Sequence, residues 1–220
     1  MSHIISQVLS EAQLIAIKDT IAANPNAFES GKNSAGWHAQ AVKNNEQVAS
    51  DVAKQIRDMV EKVLLSNGLF NAAAQPKKII HMLVSRYKRG MSYGTHIDDP
   101  LMGGNRTDLS FTLFLNEPDS YEGGELVLEE QDGDSEIKLP AGSLYLYPST
   151  TLHHVREVTN GERLVIAGWV RSFIRDPSER EVLFDLENLI ATLQAGKADR
   201  SLLDHALKIR ANLIRKWVND

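Results

Sequence analysis

GSLYLYPSTTLHHVREVTNGERLVIAGWVRSFI, residues 142–174, is the stretch that decides the fold. Short runs rich in Leu, Val, Ile, Tyr and Trp are divided by turns at Pro148-Ser149-Thr150-Thr151 and at Thr159-Asn160-Gly161. Apolar runs bounded by Pro, Ser, Asn and Gly read as strands. Upstream the same texture recurs in IIHMLVSRY (79–87), MSYGTHID (91–98), DLSFTLFLN (108–116), GGELVLEE (123–130) and DSEIKLP (134–140). In the third of these, Leu109, Phe111, Leu113 and Leu115 share one face, because side chains alternate along a strand. Eight such strands predict a mainly β fold with flanking helices and a double-stranded β-helix (jelly-roll) core. A dinucleotide-binding α/β fold is disfavoured: no helical run separates the strands, and no Gly-rich turn opens a helix after the first.

Helical patterns flank this core. Ser10 can cap a helix over EAQLIAIKDTIAA, with Leu14, Ile17 and Ile21 on one stripe. NPNAFESGKNSAG then reads as a loop. A second helix is predicted over about 46–65, buried through Val48, Val52, Ile56, Met59, Val60 and Val63, and SNGLFNAAAQP breaks it. After the strands, Pro177 starts a helix that ends at Gly196, and another spans about 199–218. The expected organisation is a helical support region (1–78), a jelly-roll core (79–174) and a C-terminal helical region (175–220).

The chain has 220 residues, enough for one sizeable core, and a net charge of -5, which argues against a general nucleic-acid binder. With no cysteine, disulfides, cysteine nucleophiles and iron–sulfur ligation are excluded. The N-terminus lacks the basic start and apolar run of a signal peptide, and no apolar run approaches the roughly 20 residues that span a bilayer. A cytoplasmic location without membrane or nucleic-acid partners is expected. The apolar stripes of the C-terminal helices need cover from the core or from a second subunit, and a homodimer is favoured because two-fold assemblies are the commonest.

The chemistry sits in His96-Ile97-Asp98. Residues two apart on a strand point to the same face, so both side chains can reach one metal. His153, from a second strand, can add a third ligand. Two imidazoles and a carboxylate make the facial set of a non-haem Fe(II) oxygenase with open positions. Arg163 offers a fixed cation where a dicarboxylate co-substrate could anchor. Each feature has a bland alternative: a chance His-x-Asp, a surface histidine pair at 153 and 154, a solvated strand end at Arg163. Asp99 is off the face of Asp98 and is not read as a ligand. Tyr93 and Trp169 are candidates for a pocket wall or for ordinary packing. Arg106 and Asp108 read as a solvated pair or as one that fixes the loop after Asp98. The polar cluster Lys43-Asn44-Asn45 reads as a helix cap at Asn45 or as a lid.

The stretches GWHAQAVKNNEQ (36–47), YGTHIDDPLM (93–102), RTDLSFTLFLNEPDSYEGGELVLEE (106–130), IKLPAGSLYLYPSTTLHHVREVTNGER (137–163) and WVRSFIRDPSEREVLFDLENLI (169–190) together resemble the bacterial PKHD-type hydroxylases. These are Fe(II)- and 2-oxoglutarate-dependent dioxygenases related to prolyl 4-hydroxylases. The resemblance covers most of the chain, and its long central run is far more specific than the triad spacing. It implies His96, Asp98 and His153 as iron ligands, Arg163 as the 2-oxoglutarate anchor, and His154 in a variable place. It also implies that a tyrosine near Tyr87 donates to the distal carboxylate of 2-oxoglutarate, while a second tyrosine of some relatives is replaced here by Phe114. The implied reaction is hydroxylation of an unactivated carbon, on a prolyl or amino-acid-like substrate, with dioxygen consumed and succinate and CO2 released. L-Ascorbate is the implied reductant. Two competing readings are a cupin-like metal enzyme that does not use 2-oxoglutarate and a non-catalytic jelly-roll binding module.

Overall fold

The computed structural model describes residues 2–219. Helix α1 (Glu11–Ala22) opens with a capping box, in which Ser10 and Gln13 satisfy each other's backbone N–H groups. Helix α2 (Ser50–Ser66) buries Ala53, Ile56, Val60 and Leu64 at helical spacing. Helix α3 (Gly68–Ala74) follows at once: the Asn67 side chain caps Phe70 N at 2.9 Å, and Gln75 ends it in a left-handed conformation. At the other end of the chain, α4 (Pro177–Ala195) is capped by Asp176 and closed by Gly196, and α5 (Arg200–Trp217) packs on it.

Two local expectations are corrected here. The second helix does not begin near 46; Glu46–Val48 is a strand and the helix starts at Ser50, with Ala49 at its N-cap. Asn45 therefore caps nothing. The strand wins because Glu46 and Gln47 pair with Arg86 and Ser85 while Phe28–Ser30 pairs on the other side, which satisfies backbone groups on both edges. The segment 66–76 also forms a helix of its own rather than only a break.

Among the described residues, the strands form two main antiparallel sheets. The larger, eight-stranded sheet runs His3–Ile5, Leu144–Pro148, Leu109–Phe114, Val158–Ser172, Pro76–Lys88, Glu46–Val48, Phe28–Ser30, with Tyr121–Gly123 paired beside Val158–Ser172. The smaller, five-stranded sheet runs Gly133–Ile137, Leu126–Glu130, His153–Val155, Ser92–His96, Lys43–Asn44. This is the double-stranded β-helix, and the N-terminal segment supplies edge strands to both sheets.

Alternation along the large sheet divides the interior into two apolar layers. Leu109, Phe111, Leu113, Leu144, Leu146, Leu164 and Ile166 face α1, α2 and α3, meeting Ile17, Ile56, Val60 and Phe70. Burial of each such side chain contributes roughly 1.5–3 kcal/mol. The opposite face carries Tyr87, Phe114, Tyr145, Tyr147 and Val165, which meet Leu126, Leu128 and Val155 of the small sheet. The second layer is richer in tyrosine than the first, and the cavity opens within it.

Candidate active site

His96 ends one strand of the small sheet and His153 opens its neighbour; the two are paired across the ladder. Asp98 lies two residues beyond His96. One ligand atom from each of His96, Asp98 and His153 can be chosen so that all lie within 4.8 Å of one another, the one such group of three donors among the described residues. All three are buried.

Local hydrogen bonds aim these donors. His96 Nδ1 lies 2.9 Å from Gly94 O and His153 Nδ1 2.9 Å from Thr151 O. A carbonyl partner fixes Nδ1 as the protonated nitrogen, leaving both Nε2 lone pairs for the cavity. Burial, reinforced by His153, pulls the His96 imidazole down to about 3, so it is neutral and able to ligate at physiological pH. Asp98 Oδ2 accepts from Ser110 Oγ at 2.5 Å, and Ser110 Oγ lies 2.7 Å from Ser149 Oγ. Two imidazoles with Nε2 turned to the cavity, plus one oriented carboxylate, fit a first-row divalent metal with open positions. His154 points away: it is half-buried, with Nδ1 3.9 Å from Glu129 Oε1. Asp99 turns to the cavity mouth, 4.0 Å from His38 Nδ1.

Arg163 sits in the same cavity, 1% exposed. Its guanidinium lies 5.0 Å from the Tyr87 ring centre and 5.6 Å from that of Phe114. Gly124, at φ +67°, leaves room for it: a Cβ there would stand 3.0 Å from Arg163 Cδ. No carboxylate pairs with Arg163 among the described residues, and its Nε has no hydrogen-bond partner. Tyr87 stands directly across the ladder from Arg163, and burial raises its phenol, with Arg163 opposing. A buried cation without an acid is costly unless a ligand supplies one.

Residues 82–171 match the 2OG-Fe(II) oxygenase superfamily. The PKHD-type hydroxylase of Parvibaculum lavamentivorans is 50% identical over 217 residues, 98% of each chain. The chain belongs to the PKHD-type hydroxylases. The corresponding proteins of Gloeothece citriformis and Maricaulis maris are 48% and 46% identical, over 99% and 98% of both chains. Among solved structures, a Pseudomonas putida prolyl-4-hydroxylase superposes with a TM-score of 0.55 at 19% identity, covering 78% of this chain and 92% of that one. A Trichoplax adhaerens prolyl hydroxylase, solved with a hypoxia-inducible-factor peptide, gives 0.57 at 16% identity, covering 77% and 83%. At such identities these two likenesses establish the fold. As a PKHD-type hydroxylase, the chain is an Fe(II)- and 2-oxoglutarate-dependent dioxygenase, which sets aside the cupin-like and non-catalytic readings.

The remaining wall of the hydroxylase cavity holds more than the sequence suggested. Tyr93 stacks on His96 at 3.7 Å, and Trp169, stacked on His81, lines the cavity on the row of Arg163, Val165 and Ala167. Ser110, Thr112 and Tyr147 also line it and were not anticipated. The signal was present: Ser110 and Thr112 occupy the alternate face of an apolar strand. Arg106 and Asp108 do pair, at 2.6 Å, and Asp108 also accepts from Ser172 N at 2.8 Å, which ties the strand ends together. Lys43, Asn45 and Gln47 are all buried and line the cavity. Burial pulls the Lys43 ammonium down to about 8, with Asp98 opposing, so it remains mostly protonated at pH 7. No described helix is long and apolar enough to cross a membrane.

Proposed function

We propose that His96, Asp98 and His153 hold the Fe(II) and that Arg163, with Tyr87 beside it, anchors the far carboxylate of 2-oxoglutarate. The observation that carries this reading is Arg163: a fully buried guanidinium without an acid partner, in one cavity with a ligand-competent His-Asp-His set. Iron and 2-oxoglutarate, when bound, supply the activation of dioxygen that a carbon–hydrogen bond requires. The protein's own residues bind, orient and shield. Carbonyl-anchored imidazoles hold their tautomers, Ser110 orients Asp98, and the aromatic layer of Tyr87, Tyr93, Tyr147 and Trp169 limits water at the reacting centre.

The primary substrate is prolyl or amino-acid-like in this reading, supported by fold likeness to prolyl hydroxylases. L-Ascorbate is assigned as the reductant, a cytoplasmic location is expected, and a homodimer is favoured because Leu189, Leu202 and Ile209 of α4 and α5 are exposed. The dioxygenase core is assigned to 79–174, with 1–78 as support and 175–220 as a helical flank; the superfamily match over 82–171 supports that division.

Titration of the metal-loaded protein with 2-oxoglutarate tests the anchor. Arg163→Ala is expected to weaken 2-oxoglutarate about tenfold to a hundredfold, the scale of a lost charge-assisted bond, with metal affinity far less affected. Arg163→Lys restores part, since an ammonium lacks the bidentate fork. Unchanged affinity in Arg163→Ala contradicts the assignment.

A further inference from the structure

We propose that Lys43 receives a carboxylate of the primary substrate, so that the molecule hydroxylated is an amino-acid-like compound with a free carboxylate. The inference rests on the dioxygenase reading, because it counts the charges of iron and 2-oxoglutarate. Lys43 is 4% exposed and has no carboxylate within ion-pair distance among the described residues. Its ammonium donates to Ser34 Oγ at 3.0 Å and lies 5.0 Å from the Tyr93 ring centre. Those contacts leave donor capacity turned to the cavity that it lines.

The charges of the loaded cavity do not balance without such a ligand. Lys43 and Arg163 each bring one positive charge, Asp98 brings one negative, and an imidazole that ligates a metal carries none. Fe(II) adds two positive charges and 2-oxoglutarate two negative ones. One positive charge remains in a buried site, where unpaired charge is costly. Asp99 does not cancel it, because it sits at the mouth beside His38. A monocarboxylate closes the count.

Position separates this subsite from that of 2-oxoglutarate. Arg163 rises from the large sheet, on the strand Val158–Ser172. Lys43 belongs to the edge strand of the small sheet, paired with Tyr93, and contacts Ser34 of the 31–34 turn, whose neighbours Ala35, Gly36 and His38 line the same cavity. The chain then crosses to the large sheet at Glu46–Val48, so Lys43, Asn45 and Gln47 form a polar wall between the sheets. Both amide atoms of Asn45 and the Gln47 Nε2 are buried without hydrogen-bond partners. A cation flanked by unsatisfied amides suits a carboxylate beside an amide or amine.

The test uses full-length protein loaded with Mn(II) and saturated with 2-oxoglutarate without oxygen. The probes are a mixture of N-acetyl amino acids and the matched mixture of their uncharged amides, and the readout is broadening of probe proton resonances by the bound metal. Metal and 2-oxoglutarate binding are measured first; their failure rejects the dioxygenase site rather than this subsite. With both bound, at least one acid is expected to broaden at tenfold lower concentration than its amide. Lys43→Met should erase that preference, Lys43→Arg should keep it, and 2-oxoglutarate affinity should change less than twofold in either. Acids and amides that behave alike in the wild-type protein overturn the proposal whether or not any of them binds, and do so without relying on the folding of a variant. A tenfold loss of 2-oxoglutarate affinity in Lys43→Met also overturns it, by assigning Lys43 to the co-substrate.

Discussion

His96 and His153 face each other across one ladder of the small sheet, ring centres 4.3 Å apart, each with Nδ1 held by the carbonyl oxygen two residues upstream. The same short-range device sets both tautomers. Two strands that present identical local geometry from opposite directions produce a converging pair of Nε2 atoms before any metal arrives. Asp98 completes the set from two residues past the strand's end, where the chain can leave the ladder.

Asp98 is oriented by Ser110 from the other sheet, through the bond of 2.5 Å between Ser110 Oγ and Asp98 Oδ2. Ser110→Ala is expected to lower metal affinity about tenfold to a hundredfold, the usual effect of removing an outer partner of a ligand. Ser149→Ala, one bond further out, should have a smaller effect. Competition titration with a chromogenic chelator measures both, and unchanged affinity in Ser110→Ala counts against an orienting role.

The strands, the flanking helices and the triad were legible because period-two and period-3.6 patterns carry them directly. Leu109, Phe111, Leu113 and Leu115 announced a buried face, and His96 and Asp98 shared one by parity. The alternate face, Ser110, Thr112 and Phe114, was legible too, but polar residues on a strand read as solvent-facing until a second sheet covers them. The helix expected from about 46, with Asn45 as its cap, fails for a physical reason. Residues 43–47 are all polar, so no apolar alternation distinguishes inside from outside. Only pairing with Ser92–His96 and Pro76–Lys88 turns Lys43, Asn45 and Gln47 inward while Glu46 meets Arg86 and Lys88 outside.

Burial of Lys43 carries a stability cost that depends on pH. Its folded-state value of about 8 lies below the ordinary 10.5. Below pH 8 the ammonium is charged in both states and the penalty is full; between 8 and 10.5 the unfolded chain binds more protons, so stability rises with pH. Lys43→Met is therefore expected to stabilise the metal-free protein at pH 7 by up to roughly 3 kcal/mol, about 1.4 per pKa unit. The difference from wild type should shrink between pH 8 and 10.5. Denaturant unfolding at several pH values checks this, and a constant difference would refute it.

Gly168 faces Phe111 across the large sheet, and a Cβ there would lie 2.3 Å from Phe111 Cζ and 2.9 Å from Met82 Cγ. Phe111 is fully buried and edge-on to Phe70, so it has little room to yield. Gly168→Ala should cost about 1–3 kcal/mol by overpacking. At about 2–4 °C per kcal/mol for a chain of this size, calorimetry should record a lower midpoint. Gly68→Ala, which meets nothing within 4 Å, is the matched control and should be close to neutral. Equal midpoints for the two variants would show that the sheet adapts.

Iron stoichiometry in two adjacent variants tests the central claim most directly. Anaerobic Fe(II) titration of the wild-type protein should give one ion per chain. His154→Ala should retain that ion, because His154 lies on the outer face near Glu129. His153→Ala should bind none at comparable concentrations, because it removes one of three converging donors. Equal loss in the two variants, or retention of iron by His153→Ala, would contradict the assignment of the metal centre.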